Sequence, residues 1–224
     1  MTITPLEVYK EFLLRVNKND TNKNINVPRG EFVLLFNEQV LLWLDNYITD
    51  NLGTDIIEDI AEMYEPDKEL TQLADQETFT SFNLPVYFFK KASVYLTATK
   101  GECSGVVMVA WDFKPKNKNF TIQNANLVPS FEYQETNYSL AGNTLILYKS
   151  DFTIDKAYLS YYRKPAQLDI EGYKRLDGSQ SANSSTDLDN INVYKVLDVC
   201  AQIALGRYEN IQGTQIAASV VAKK

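Results

Sequence analysis

Pairs of carboxylates are the side chains of this sequence whose types and spacing come nearest to an active site. Glu132 lies just before Glu135, and Asp187 lies just before Asp189. Two carboxylates of different pKa can hydrolyse a glycosidic bond, one as the general acid and the other as the base or nucleophile. Acidic residues are also ordinary at strand ends and helix N-termini, where they only stabilise the backbone. We favour the structural explanation, and a carboxylate-based cell-wall hydrolase stays open as an alternative.

Histidine is absent from all 224 residues of the sequence. Its absence excludes Ser-His-Asp triads, Cys-His pairs and histidine-ligated zinc. Cys103 and Cys200 are far apart, and neither has a second cysteine at metal-ligand spacing, so we expect two reduced thiols. Only chemistry run by carboxylates, lysine, tyrosine or a carboxylate-held metal remains. Our expectation for the chain is no catalytic residue, no metal ligand, no cofactor and no enzymatic activity.

A polar loop early in the chain has the spacing of a cation site. The residues Asp20, Asn22, Asn24, Asn26 and Glu31 follow the register of EF-hand ligands. The position that needs glycine for the sharp turn is occupied by Ile25, and few of the ligands are charged. We favour a solvated loop, and cation binding by residues 20–31 stays open.

The charge balance restricts the class of partner. The chain has 22 basic and 29 acidic residues, a net charge of -7. Such a chain does not grip nucleic acid through its phosphates, but a polyanion can pass along its surface without sticking. No stretch approaches the roughly 20 apolar residues of a membrane span, and the N-terminus does not resemble a signal peptide. We expect a soluble protein with no membrane partner.

The elements that position these residues change in type along the chain. A capping box, TPLE from Thr4, predicts a helix that ends near Asn17. A broad apolar stripe predicts a second helix over residues 28–50, and a third, short helix is predicted over residues 54–63. From about Phe79 the apolar period changes to two, which predicts an antiparallel sheet of about four to six strands. The segment VYFFKKASVYL within it also has a helical interpretation.

The last third of the chain returns to helical patterning. Residues 172–186 are small and polar, which predicts a long mobile arm. Asp187 is predicted to cap a last helix, and the tail from Gln212 has little pattern. The order of helices, strands and helix indicates an α+β fold. We place a helical unit in residues 1–78 and 166–224, and an inserted antiparallel β-domain in residues 79–165.

The predicted strand AYLSYYRKP has tyrosines on both of its faces. Tyr158 and Tyr162 share one face, whereas Tyr161 and Arg163 share the other. Aromatic rings with polar tips suit an edge strand that meets water or another subunit. Stacking of a host glycan on the tyrosines is the alternative.

Several of these segments, in their order, resemble a known family. The series is PSF from Pro129, ET from Glu135, GNTLILY from Gly142, YLSYYRKP from Tyr158 and the acidic-capped helix DLDNINVYKVLDVC from Asp187. It resembles the head-to-tail connector proteins, also called adaptors or neck rings, of tailed bacteriophages. The similarity is closest to the short-tailed crAss-like phages, and the ordered series covers most of the chain.

The resemblance implies a structural virion protein and no catalytic residue. It implies a homo-oligomeric ring, a dodecamer that matches the portal protein, stacked below the portal and joined to the next neck or tail ring. Genomic DNA would pass through this ring, which would be made in the host bacterial cytoplasm and end in the virion. A virion-associated glycan-binding module and the hydrolase remain the alternatives. The candidate ring contacts are Tyr158, Tyr161, Tyr162, Arg163, Arg175, Asp177 and Ile216.

Overall fold

The computed structural model describes residues 3–17, 25–51, 58–112 and 128–221, with the side chains of the last helix described as far as Arg207. The chain divides into two compact units. Met1–Ile57 and Pro165–Lys224 form the helical unit, and Glu58–Lys164 forms the sheet unit. Helices and an eight-stranded sheet make up the described ranges, so the predicted α+β class is confirmed.

The helical unit contains α1 (Pro5–Asn17), α2 (Arg29–Asp50) and α3 (Asn190–Val221). The predicted capping box is present at α1: the Thr4 amide donates to the Glu7 carboxylate at 2.8 Å, and the Glu7 amide donates to the Thr4 hydroxyl at 3.3 Å. At α3 the predicted cap is wrong by two residues. Asp189 accepts the Asn192 amide at 2.6 Å, while Asp187 accepts the Ala166 amide at 2.7 Å.

Aromatic rings fill the space between α1 and α2. The ring of Phe32 lies 4.6 Å from that of Phe12 and 5.7 Å from that of Phe36, and all three side chains are fully buried. Helical spacing places these residues on one face of each helix, and burying that face stabilises the pair. The buried side of α3 joins the same unit through Val193, Val196, Leu197, Cys200, Ala201 and Ala204.

The described residues of the sheet unit form eight strands. They are β1 (Tyr64–Glu69), β2 (Gln72–Asp75), β3 (Phe79–Asn83), β4 (Phe88–Lys100), β5 (Cys103–Asp112), β6 (Glu135–Ala141), β7 (Thr144–Tyr148) and β8 (Thr153–Arg163). Their order across the sheet is β1-β8-β4-β5-β6-β7-β3-β2. Neighbouring strands are antiparallel except for β5 and β6, which are parallel.

The two edge strands of this sheet, β1 and β2, are consecutive in the chain. Leu70, between them, donates its amide to the Ala157 carbonyl of β8 at 2.9 Å, and Thr71 accepts the Asn83 amide of β3 at 2.9 Å. Because one short run of chain bonds to strands near both ends of the sheet, the sheet is curled. The inward side chains form one apolar core, which includes Phe82, Leu96, Met108, Leu145, Leu147 and Leu159.

Three predictions about this unit need correction. The strands begin at Tyr64 instead of Phe79, so residues 58–78 belong to the sheet unit and not to the helical unit. The described part of the predicted third helix is a short 3-10 helix, Glu58–Met63. The sheet has eight described strands instead of four to six, and its β5–β6 pair is parallel instead of antiparallel. The segment with two interpretations is strand β4, in agreement with its strand pattern. β1 and β2 escaped prediction because edge strands are often short and polar, and Pro66 interrupts the strand pattern.

Candidate subunit interface

Residues 169–184, called the arm below, form a hydrogen-bonded excursion from the helical unit. Asp169 and Ser184 exchange two backbone hydrogen bonds, of 2.9 and 3.0 Å, at its base. Further out, the Ser181 amide donates to the Tyr173 carbonyl at 3.0 Å, and a second bridge joins Lys174 to Gln180. The sequence predicted a long mobile arm over residues 172–186 and gave no sign of these hydrogen bonds. The side chains that satisfy the backbone are serines and aspartates, which give no strand pattern.

The buried carboxylate of Asp169 is the centre of the arm. It accepts hydrogen bonds from the Tyr173 hydroxyl at 2.7 Å, the Ile170 amide at 2.9 Å, the Ala182 amide at 3.2 Å and the Arg175 guanidinium. Burial alone would raise the pKa of Asp169, but these donors outweigh it and lower the pKa below its ordinary value. The carboxyl group is therefore charged at neutral pH, and this charge strengthens each of its hydrogen bonds.

Tyr173 links this centre to the start of α2. Burial and the hydrogen bond to the Asp169 carboxylate raise the pKa of Tyr173 to about 12, so the hydroxyl stays neutral and donates. Its ring lies so close to Gly30 that a Cβ atom there would be 2.9 Å from the ring. Beside it, the Arg29 guanidinium donates to the Glu171 carbonyl at 2.7 Å. The base of the arm is thus fixed to the first turn of α2.

The tip of the arm presents one apolar side chain to the outside. The tip is a turn in which the Gly178 amide donates to the Arg175 carbonyl at 3.0 Å. Leu176, inside this turn, is 96% exposed. The residues on either side of it, Arg175 and Asp177, were predicted as subunit contacts but bind within the arm. Arg175 binds Asp169, and Asp177 accepts the Ser179 amide at 2.9 Å. The sequence analysis did not select Leu176. Its signal was an isolated leucine next to turn residues within a polar segment.

Two of the tyrosines predicted to contact another subunit are buried in their own chain. Tyr161 is 6% exposed and packs in the sheet core, with its ring 5.9 Å from that of Phe88. Tyr162 is 7% exposed, and its ring lies 5.5 Å from that of Tyr64 on β1. The prediction treated β8 as an edge strand. It lies between β1 and β4, so both of its backbone edges are paired within the sheet.

The other two candidates on β8 also have partners within the chain. The half-buried Tyr158 ring stacks on Tyr95 of β4, with 4.8 Å between ring centroids and 13° between ring planes. One face of each ring is therefore occupied, which disfavours the stacking of a sugar there. Arg163 lies 3.6 Å from the Glu65 carboxylate and donates to the Glu62 carbonyl at 3.1 Å.

Exposed apolar side chains instead occur on β5 and α2. Val107, Val109 and Trp111 alternate along the outer side of β5, and Leu34 and Leu42 lie two turns apart on α2. Rows of exposed apolar groups are typical of protein contact surfaces. The period of two in β5 was visible in the sequence. Which face of β5 points outward could not be predicted, because the inward residues Met108 and Ala110 are also apolar.

Three of the four candidate catalytic carboxylates bind other groups of the chain. Glu132 pairs with Lys100, which also binds Asp151, and the hydrogen bond from Lys100 lowers the pKa of Glu132. The general acid of a glycosidase needs a raised pKa instead. Asp187 and Asp189 bind backbone amides around α3, as described above. The arrangement favours a structural role for these groups.

The remaining predictions concern cysteines, cations and the tail. Cys103 is exposed, Cys200 is buried, and they form no disulfide with each other; burial raises the pKa of Cys200 to about 12. Among the described residues no group of acidic or cysteine side chains is arranged to hold a metal ion. Three of the five proposed cation ligands, Asp20, Asn22 and Asn24, lie outside the described residues, and so does the side chain of Ile216.

The described helices do not include one that is long and apolar enough to cross a membrane. No protein-family model matches this chain, and no curated protein sequence matches it either.

Proposed function

We propose that this protein is a structural virion protein that forms a head-to-tail connector ring. The ring lies below the portal, surrounds the DNA exit channel and joins the capsid to the tail. The observation that carries the proposal is the arm, a hydrogen-bonded projection that presents Leu176 to the outside. The ordered resemblance to connector proteins points in the same direction.

A projecting arm suits a subunit that joins identical copies head to tail. Leu176 is on the arm, whereas the exposed leucines of α2 lie elsewhere on the same helical unit. A chain with two different surfaces of this kind forms heterologous contacts, which give a closed ring when the rotation between copies closes. A homodimer built on one twofold surface needs no such projection.

The charge of the chain agrees with a DNA channel. With a net charge of -7, a ring of many copies is strongly anionic. Like charge keeps the genome from binding to a surface past which it must move. The proposed ring therefore guides DNA without holding it, and it requires no cofactor and no catalytic group.

Counting copies in purified virions of the phage that encodes this chain tests the proposal. Quantitative mass spectrometry with isotope-labelled peptides measures the ratio of this chain to the portal protein. We expect a ratio of one, as for a ring that matches the portal. Absence from the particles, or the ratio typical of tail fibres, would overturn the connector proposal and favour the glycan-binding and hydrolase alternatives.

A further inference from the structure

The exposed side of α2 combines leucines with carboxylates. Leu42 is 51% exposed, Leu41 beside it is half-buried, and Glu38 and Asp45 are exposed on the same side. Residues at these spacings, three, four and seven positions apart, surround a hole on a helix surface into which a side chain of another element can insert. We call these four residues the α2 hole. It has an apolar floor between two acidic ends.

The arm tip has the complementary character. Leu176 projects from the turn with 96% of its surface exposed, and Lys174 is exposed two residues before it. The bridge between Lys174 and Gln180 fixes the backbone from which both side chains extend. The tip therefore offers an apolar knob with a cation beside it, on a support that is ordered before any partner binds. Order of this kind reduces the entropy lost on binding.

We infer that the arm of one copy docks on α2 of the next copy, with Leu176 inserted in the α2 hole and Lys174 beside Glu38. This inference rests on the proposed ring function. Opposite charges fix the register of such a contact, and burial of the leucine supplies most of its affinity. Because each copy carries one arm and one hole, the contact repeats from copy to copy around a ring.

The contact is made between copies and not within one chain. Leu176 and Leu42 are both exposed in the single chain. The base of the arm is docked at Gly30, and Glu38 lies eight residues further along α2, about 12 Å along the helix axis. The free chain therefore leaves both halves of the contact available to a neighbour.

The outer side of β5 is the competing acceptor, and it fits the arm less well. Its row of Val107, Val109 and Trp111 lies on a strand, which offers no hole of the kind found on a helix. The acid that follows Trp111, Asp112, is already paired with Lys91 at 3.0 Å. The carboxylate of Asp112 is therefore not available to Lys174.

Cysteine cross-linking in assembled particles tests the inference. The exposed Cys103 is first replaced by serine, which removes the accessible natural thiol. Leu176→Cys is then combined with Leu42→Cys, and in the matched control with Val109→Cys. A disulfide forms only where Cα atoms come within about 7 Å, so oxidation reports contact directly. We expect a ladder of covalent oligomers larger than dimers for the first pair and none for the control.

The outcomes separate this inference from the proposed function. A ladder that passes through residues 176 and 42 supports both. If the chain is present at the copy number of the portal but the ladder is missing, or forms through residue 109, the inference is overturned and the ring proposal stands. If the chain is absent from particles, the ring proposal fails and the inference fails with it.

A charge exchange gives a second readout that does not depend on oxidation. Lys174→Glu and Glu38→Lys should each reduce incorporation into particles by about two- to fivefold in competition with the natural chain. The two changes together should restore it. Leu176→Asp should reduce incorporation by roughly 10- to 100-fold, because the contact loses the affinity that burial of the leucine supplies. Reduction by both single charge changes without restoration in the double variant would overturn the contact.

Discussion

Two neighbouring segments of the chain, strand β8 and the arm, are held in place by different forces. β8 pairs with β1 on one side and β4 on the other, and its inward Leu159 and Tyr161 belong to the apolar core. Apart from Ile170, which is buried at its base, the arm buries no apolar side chain and is held by hydrogen bonds that converge on the Asp169 carboxylate. β8 therefore uses its apolar side chains for its own stability, whereas the arm leaves Leu176 available for a contact.

The largest effect should come from the aromatic core of β8. Tyr161→Ala removes a buried ring and leaves a cavity, so we expect the sheet unit to lose about 3–5 kcal/mol of unfolding free energy. Tyr158→Ala, which removes only a half-buried stacked ring, should cost about 1 kcal/mol. Denaturant unfolding monitored by circular dichroism measures both. Equal costs for the two variants would contradict the assignment of Tyr161 to the core.

A smaller and more local effect should follow from a change at the centre of the arm. Asp169→Asn removes the charge that four donors share, and we expect the arm to lose about 2 kcal/mol of protection against local opening. Hydrogen exchange of residues 170–184, compared with β4, measures this loss. Asp177→Asn, at the exposed tip, is the matched control. Unchanged arm protection in Asp169→Asn would show that the backbone bridges suffice.

Acid should loosen the arm through the same carboxyl group. Because the pKa of Asp169 is lowered in the folded chain, its stabilisation is complete above the ordinary carboxyl pKa of about 3.9. It is lost as the pH falls through the lower folded value. Amide exchange of Ala182, followed from neutral pH into acid, should therefore stay slow until the pH passes below about 4. Loss of protection already near pH 6 would contradict a charged, hydrogen-bonded Asp169.

The smallest effect on stability should come from the tip. Leu176→Ser changes a side chain that is almost fully exposed, so the free energy of unfolding should stay within about 0.5 kcal/mol of its original value. Arm exchange rates should also be unchanged. A clear loss of stability in the purified chain would show that Leu176 packs within its own chain, which would remove the distinction drawn between the arm and β8.

Much of the helical unit could be predicted because its signals are local. Thr4 and Glu7 cap each other within one turn, and the phenylalanines of α1 and α2 share faces at helical spacing. The candidate interface was predicted less well. Arg175 and Asp177 were predicted as ring contacts, but they support the arm from within, and the exposed Leu176 between them was overlooked. The exposure of a side chain depends on which residues pack around it in the fold, and the residue type alone does not predict this.

The sequence by itself determined the α+β class, the capped start of α1 and the absence of histidine chemistry, because each depends on composition or on residues within a few positions of one another. Only the tertiary structure decided which strands pair to form the curled sheet. β1 and β2 have mostly polar sequences, with Pro66 interrupting β1, and they are strands because β8 and β3 lie alongside and pair with them. The same non-local pairing buries Tyr161, and the fold around Asp169 turns a polar loop into an arm.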